Sequence, residues 1–503
     1  MTNPMEGTIF MRKKMSKKLL AVALSAGMAL SLAACTSADD NTGVDTPADP
    51  GQNVTPDGGD GGADVDTPVE KYTVITDADG NPIDLGGMEI IVRDWFSDAE
   101  GNVAPAANDF EEARDEWREW IQETYNFTIK QCGMSQWGDV ITDFVDYVST
   151  DGDDNNYVFI MREDKAFTSA IAEGLVYDLS TLDCLDFTSK KFTINKCHEQ
   201  FTLGGGVYAM YAGASEARSG VYFNKQVLKD AGIDPESLYD MQADGTWTFD
   251  KFEELCSIVQ RDVDNDGIDD YYGLCANNGN MVNDAVFSNG GAYVGKSGAE
   301  FTYELENEKT VYALNWVVDM FAKYNNHDPE DAQWDYYKEE FKSGKVGFMI
   351  EDAYVASRNN WLENPDFELG FVFFPKGPGA DKYIDVWSNN PVVIPGCYDA
   401  DRAWKCAFAW NLYTDMPADY EADYFDTSSY LAGGFDLRAV NETIVPMMST
   451  DHGIIAYHGI IPSLDLGPDF VYGIGWWSTV SEEIEKISQT WQTYIDEANA
   501  RAK

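Results

Sequence analysis

From residue 88 onward, short apolar runs of strand character alternate with amphipathic stretches of helical period, and that alternation restricts the chain to the α/β classes. Residues 88–92, 127–129 and 157–161 read as strands, and helical periodicity fills 110–125, 137–148 and 165–173. Strand, helix and strand in this order close as right-handed units around a mostly parallel sheet. A second set repeats the grammar, with strands at 221–223, 346–350 and 369–374 and helices at 225–231, 249–260, 308–324, 354–361, 401–413 and 480–497. Gly232 closes one of these helices and Thr248 opens another. Two such sets without a long linker imply two lobes. Ligands of open α/β sheets sit beyond the C-terminal strand ends, so two facing lobes make a cleft.

Ahead of this body the composition changes twice. Arg12, Lys13, Lys14, Lys17 and Lys18 form a basic head, and residues 19–34 are small or apolar, closing on Leu32-Ala33-Ala34-Cys35. That order is an export signal, and its apolar run is shorter than the ~20 residues a membrane-spanning helix needs. Cys35 resembles the cysteine of a bacterial lipobox, which implies that residues 1–35 are a lipoprotein signal peptide and that Cys35 carries lipid. Residues 36–84 are rich in Asp, Gly, Pro and Thr, so they are expected to form a disordered acidic tether. The formal charge of -52 becomes more negative once the basic head is removed. It opposes nucleic acid and anionic ligands at long range and favours neutral or cationic ones. Apart from Cys35, seven cysteines are scattered without a Cys-x-x-Cys pair. They form neither a disulfide framework nor a zinc site, and one or two bridges stay open.

Further motifs occur in a fixed order. Gly204-Gly205-Gly206-Val207-Tyr208-Ala209-Met210 is followed by Ser219-Gly220-Val221-Tyr222-Phe223-Asn224-Lys225 and Leu228-Lys229-Asp230-Ala231-Gly232-Ile233. Then come Thr246-Trp247-Thr248-Phe249-Asp250-Lys251-Phe252, Phe341-Lys342-Ser343-Gly344-Lys345-Val346-Gly347-Phe348-Met349, and a strand from Gly370 ending near Pro378. Together they resemble the extracellular solute-binding protein family that includes maltose-binding protein, over roughly residues 85–500. The resemblance implies a periplasmic-binding-protein-like type II fold: two α/β lobes, a multi-crossing hinge and a ligand cleft that closes on the ligand. It places crossings near 212–216, 350–352 and 385–387. Lobe one is then 85–213 plus 351–385, and lobe two is 214–350 plus 386–503.

The same resemblance implies a binding protein and not an enzyme. Its partners would be a sugar or oligosaccharide, the permease subunits of an ABC importer, and the membrane through the lipid anchor. It would act as a monomer on the extracellular face of the cell membrane, without nucleic acid. The implied ligand-binding positions are Asp94, Trp95, Arg162, Glu163, Glu216, Arg218, Tyr354, Trp387, Trp476 and Trp477. Aromatic faces cover the C–H face of a sugar ring while carboxylates and guanidinium bond its hydroxyls. Trp117, Trp316 and Trp410 lie on helical patterns and are expected in the core. Where sugar binders of the family carry a second aromatic wall, this chain has Gly279-Asn280-Met281, which departs from a maltodextrin site.

No cofactor is required by these readings, but one loop has the spacing of a calcium site. Asp262, Asp264, Asp266 and Asp270 alternate around Gly267, and the Ile268 carbonyl could add a ligand. The twelfth position is Gly273 and not the usual bidentate Glu, so the alternative is an ordinary acidic turn. A structural calcium, not a catalytic one, is the role such a loop would give. Residues 290–297 match the P-loop pattern, but extended residues follow where a helix is needed. His198, His327, His452 and His458 lack metal-helix spacing. Two other functions fit the same chain: a secreted glycoside-active enzyme with paired carboxylates, or a binding protein for a peptide or other non-sugar solute.

Overall fold

The computed structural model describes residues 71–501, except 107, 163–164, 326–332, 334, 418–419, 421–426 and 475–477. In the first sheet, Met88–Asp94 pairs in parallel with Phe127–Gly133 on one side and Asn156–Ile160 on the other. Val392–Val393 adds an antiparallel edge to Asn156–Ile160. Pleating sends successive side chains to opposite faces. Phe159 meets Phe144 edge-on at 5.1 Å on one face. Val158 and Ile160 join the cluster of Tyr125 and Phe408 on the other. Both faces are covered, as a parallel sheet requires. The helix Asp109–Tyr125 starts where Asn108 accepts from Glu111 N at 2.9 Å, and it ends at Asn126 with a left-handed φ of 53°.

The second sheet runs Leu369–Phe373, Ser219–Asn224, Val346–Asp352, Tyr272–Ala276. Only Val346–Asp352 with Tyr272–Ala276 is parallel, and Ser219–Asn224 is antiparallel to both neighbours. The expectation of a mostly parallel sheet therefore fails in this lobe. Ser219–Asn224 arrives from the other lobe instead of following a helix of its own sheet, so no right-handed crossover sets its direction. Thr248 accepts from Lys251 N at the start of Phe249–Val259. Behind the sheet, Phe249 stacks on Trp316 at 3.9 Å, which puts Trp316 in the core as its helical spacing predicts. Trp410 is likewise buried, and Trp117 is half-buried, donating its indole N–H to Leu412 O.

Strand pairing divides the chain differently from the expected lobe boundaries. Leu369–Phe373 belongs to the second sheet, although 351–385 was assigned to lobe one. Val392–Val393 and the helix Ala400–Tyr413 belong with the first sheet, although 386–503 was assigned to lobe two. The crossing near 350–352 does not fit the pairing, because Val346–Asp352 and Leu369–Phe373 flank the same strand. The chain instead changes lobes between Tyr413 and Ser428, whose following segment packs against Leu369–Phe373. Sequence periodicity carries no information about which sheet a strand joins, so the order of crossings was open to this error.

Two smaller corrections have local causes. The tether expected over 36–84 gives way to folded chain by Tyr72, whose ring packs on Trp117 and Trp120 at 5.0 and 4.9 Å. Ile75 N also donates to Tyr125 Oη at 2.9 Å. The helix expected over 354–361 is one 3-10 turn, Ala353–Ala356. Ser357 Oγ donates back to Tyr354 O, and Asn359 turns left-handed at φ 62°. Val294–Ser297 forms a hairpin with Glu300–Tyr303, so the P-loop match has no helix behind it. The seven cysteines other than Cys35 are free thiols. Among the described residues no helix is long and apolar enough to cross a membrane.

Candidate functional site

Three segments meet where the chain passes between lobes, and Arg218 ties them together. Its backbone N–H donates to Asp385 Oδ2 at 3.1 Å, and its carbonyl accepts from Ala353 N at 2.9 Å. Its guanidinium donates to the Ser388 carbonyl and lies 3.8 Å from Glu216 Oε2. Tyr222 supports the second segment by donating its hydroxyl to the carbonyls of Asp352 and Ala353. Ser219 and Asp352 are at opposite ends of paired antiparallel strands, so one sheet edge delivers both to the same place.

A cavity of about 340 Å³ opens beside Arg218. Arg218, Asn280, Asn283, Asp284, Asp352 and Asp465 supply much of its polar wall. Asn277 caps the helix Asn278–Ser288, accepting from the N–H groups of Gly279 and Asn280. That helix presents Asn280, Asn283 and Asp284 one turn apart, the spacing that puts side chains on one face. Residues of Tyr457–Ile460 close another side and pack against Lys165–Ala172 of the first lobe.

The site is unusually acidic for its burial. Asn280 Nδ2 donates toward Asp352 Oδ1 and Glu351 Oε1 at 3.2 and 3.3 Å. Glu351 also accepts from Tyr337 Oη and lies 3.6 Å from Lys338 Nζ. Burial pushes the carboxyls of Glu351, Asp352, Asp284 and Asp385 above the usual carboxylate range. Arg218 opposes the shift at Asp352, and the Ser219 hydroxyl opposes it at Asp284. Burial and then the charges of Asp352 and Glu351 push the Tyr354 phenol up to about 12. Burial lowers His458 to about 4, so its imidazole is neutral at physiological pH.

Among the residues expected to bind ligand, Glu216, Arg218, Tyr354 and Trp387 come together here. Tyr354 is 40% exposed and free to present its ring, whereas Trp387 is 1% exposed. The Trp387 indole donates to Met447 O at 2.9 Å, and Gly453 lies so close that a Cβ there would meet the ring at 1.9 Å. Trp387 is therefore a packed support for the cavity wall, not a stacking surface. Asp94 is fully buried and engages Phe96 N, Ser97 N, Ser97 Oγ and Gln131 Nε2, so it holds its own loop in shape. Trp95 is partly buried against Phe96, and Arg162 stacks on the exposed Trp137 at 4.2 Å. These last three belong to the first lobe and do not line the cavity. Cys35, Glu163, Trp476 and Trp477 lie outside the described residues.

Sequence reasoning missed Asn280, Asn283, Asp284, Asp352 and Asp465. The missing aromatic at Gly279-Asn280-Met281 was the signal for the first three, since it marked the stretch as departing from the pattern without saying what replaces it. In the separate acidic loop, the carboxylates of Asp262, Asp264 and Asp270 have oxygens within 4.8 Å of one another. Asp266 instead accepts from Ile268 N at 2.8 Å. Three converging carboxylates on an exposed turn fit a hard cation bound with additional water.

Residues 185–405 match the family described as bacterial extracellular solute-binding protein. No curated protein matches the chain in sequence. Among solved structures, an ABC substrate-binding protein from Listeria monocytogenes in complex with cycloalternan shares 14% identity, with a TM-score of 0.53, covering 82% of this chain and 98% of that one. The cyclic alpha-maltosyl-1,6-maltose binding protein from Arthrobacter globiformis shares 15%, with a TM-score of 0.55 over 82% and 100%. UgpB from Mycobacterium tuberculosis, in complex with glycerophosphocholine, shares 17%, with a TM-score of 0.55 over 82% and 99%. These likenesses establish the two-lobed fold.

Proposed function

We propose that this chain is a bacterial extracellular solute-binding protein that captures a carbohydrate in the cavity beside Arg218 and passes it to the permease of an ABC importer. The observation that carries this reading is the convergence of Arg218, Asn280, Asn283, Asp284 and Asp352 on a cavity at the meeting of the chain crossings. Polar edges of this density suit a molecule that offers many hydroxyl groups. Cyclic oligosaccharides named for two structural neighbours support the choice of class. The role is capture without chemistry, and lobe closure around the ligand would signal the loaded state. Tyr354, 40% exposed, would cover a sugar face in this reading, and Trp476 or Trp477 is proposed as the second aromatic.

Export and lipidation at Cys35 would hold the folded body at the outer face of the cell membrane, with the acidic segment as spacer. Cys35→Ser should then appear in the medium or stay unprocessed, and a modified, membrane-held mutant would end that assignment. A thermal-shift screen over mono- and oligosaccharides tests the main reading, because a ligand of the folded state alone raises the midpoint. Tyr354→Ala should weaken the best hit about tenfold or more while leaving the unliganded midpoint unchanged. A screen in which no carbohydrate moves the midpoint would rule out sugar capture.

The acidic loop, in the same proposal, takes a structural calcium through Asp262, Asp264 and Asp270, with Asp266 and the Ile268 carbonyl further out. The ion would fix the turn that follows the helix Phe249–Val259 and would take no part in ligand binding.

A further inference from the structure

Asp284 is 4% exposed, lines the cavity, and its Oδ2 has no hydrogen-bond partner. Two neighbours repeat the pattern. Asn283 Oδ1 lines the same wall, and Asp385 Oδ1 lies behind it in the Asp385–Trp387 strand, both without a partner. Ser219 Oγ and His458 Nδ1 on the same wall are also open, so a hydroxyl and an imidazole nitrogen accompany these three oxygens, which are acceptors once the carboxyls are ionised. A ligand made only of hydroxyls could donate to them, but each hydroxyl also brings lone pairs that must find donors of their own. Oxygen acceptors outnumber the open donors here, of which the Ser219 hydroxyl, set beside Asp284, is one. Arg218 is already engaged with Ser388 and Glu216, and Asn280 with Asp352 and Glu351. The chemistry that matches a wall of buried acceptors is a group with several N–H donors and no lone pair.

Charge points the same way. Glu216, Asp284, Glu351, Asp352 and Asp385 act on one another through the field, and Asp465 joins the cavity wall. The cations facing them are Arg218 and Lys338. His458, the remaining titratable side chain on the wall, is held neutral by burial. Buried acids in excess of their cations are costly as anions unless a positive group enters.

We infer that the cavity beside Arg218 takes a solute carrying a protonated amine, with the ammonium held by Asp284 and Asn283 and the remainder of the solute by Arg218, Asn280 and Asp352. The inference rests on that cavity being the capture site, and it narrows the ligand class to amine-bearing solutes such as sugars with a free amino group. A bound ammonium favours the ionised form of Asp284, so binding releases a proton from a carboxyl that burial had kept up. Affinity for the amine therefore falls as acidification protonates Asp284.

The test is calorimetric titration of the purified full-length protein with three probes at pH 7.0 and 5.0. The probes are cellobiose, the β-1,4 disaccharide of glucosamine with free amines, and putrescine. The amino disaccharide should bind about tenfold or more tighter than cellobiose at pH 7.0. The advantage should shrink several-fold at pH 5.0 and disappear in Asp284→Asn. Equal binding of the two disaccharides, or an advantage that survives in a folded Asp284→Asn protein, overturns the inference and leaves sugar capture standing. Binding of putrescine alone supports the cationic site and sinks the carbohydrate reading. No binding by any probe sinks both. If Asp284→Asn does not fold, Asn283→Asp adds a carboxylate to the same wall and should raise the amine affinity. An unchanged or lowered amine affinity there would overturn the inference equally.

Discussion

The loop at 262–270 and the wall around Asp284 spend the same side chain in opposite surroundings. In the loop, Asp262 accepts from the N–H groups of Asn265 and Gly267 at 2.7 and 2.8 Å, and Asp270 accepts from Val263 N at 2.7 Å. Gly267 makes this possible with a φ of 89°, a conformation other residues rarely adopt. Water reaches the remaining lone pairs, because Val263 and Ile268 beside them are exposed. Around Asp284, by contrast, side chains have closed over the carboxyls and left acceptor atoms open. Exposed acids organise a turn at little cost, while buried ones leave a demand that a ligand can meet. The first cluster shapes its own turn, and the second is the one proposed to recognise a ligand.

The largest effect should come from removing the cation that the buried cluster depends on. Arg218→Ala deletes the link between three segments and leaves Asp352 and Asp385 without their nearest positive charge. A loss of about 3 kcal/mol is expected in urea unfolding. A loss under 1 kcal/mol would mean that the buried acids are neutral and need no counter-charge. Next, calcium at about a hundred times its dissociation constant should stabilise the protein by about 3 kcal/mol if the loop binds it. The gain should vanish in Asp262→Ala, and no change in the thermal midpoint on adding calcium or chelator would reduce the loop to an ordinary turn.

Asp284→Asn should stabilise the unliganded protein at pH 8 by about 1–3 kcal/mol, the usual cost of an unsatisfied buried polar group. The sign follows from the raised folded-state pKa. The carboxyl costs nothing below its unfolded value near 3.9, and stability is lost as pH climbs through the higher folded value. Wild type and variant should therefore converge at pH 4. A variant less stable than wild type at pH 8 would show that Asp284 is paired in solution. The smallest effect is expected for Asp266→Asn in chelator, within about 0.5 kcal/mol, because the carboxylate is exposed and its turn bond to Ile268 N survives in the amide. A larger loss there would erase the contrast between the two clusters.

Local pattern was legible where one residue and its near neighbours decide the outcome. The helix Glu308–Tyr324 has the bounds its periodicity predicts, and Thr248 caps the helix it was expected to cap. Helix 354–361 failed because the side chain of Ser357 competes for a backbone carbonyl, a choice that propensity does not settle. Among the site residues, Arg218 and Glu216 were legible because they flank a crossing that the motif order locates. Asp284 was not, since it looks like any other acid on a helix in a chain with 87 of them.

By itself, the sequence determined the alternation of strands and helices, the likeness to solute-binding proteins, the acidic charge and the spacing of the loop carboxylates. Each of these depends on residues close together in the chain or on their sum. Tertiary structure decided which sheet receives Leu369–Phe373, which aromatics are walls and which are supports, and which acids lose their water. The physical reason is that desolvation depends on what packs over a group, and at Asp284 the covering segments come from residues about 70 to 180 positions away. Hydrophobic period tells a side chain which way to face, but not what it will find there.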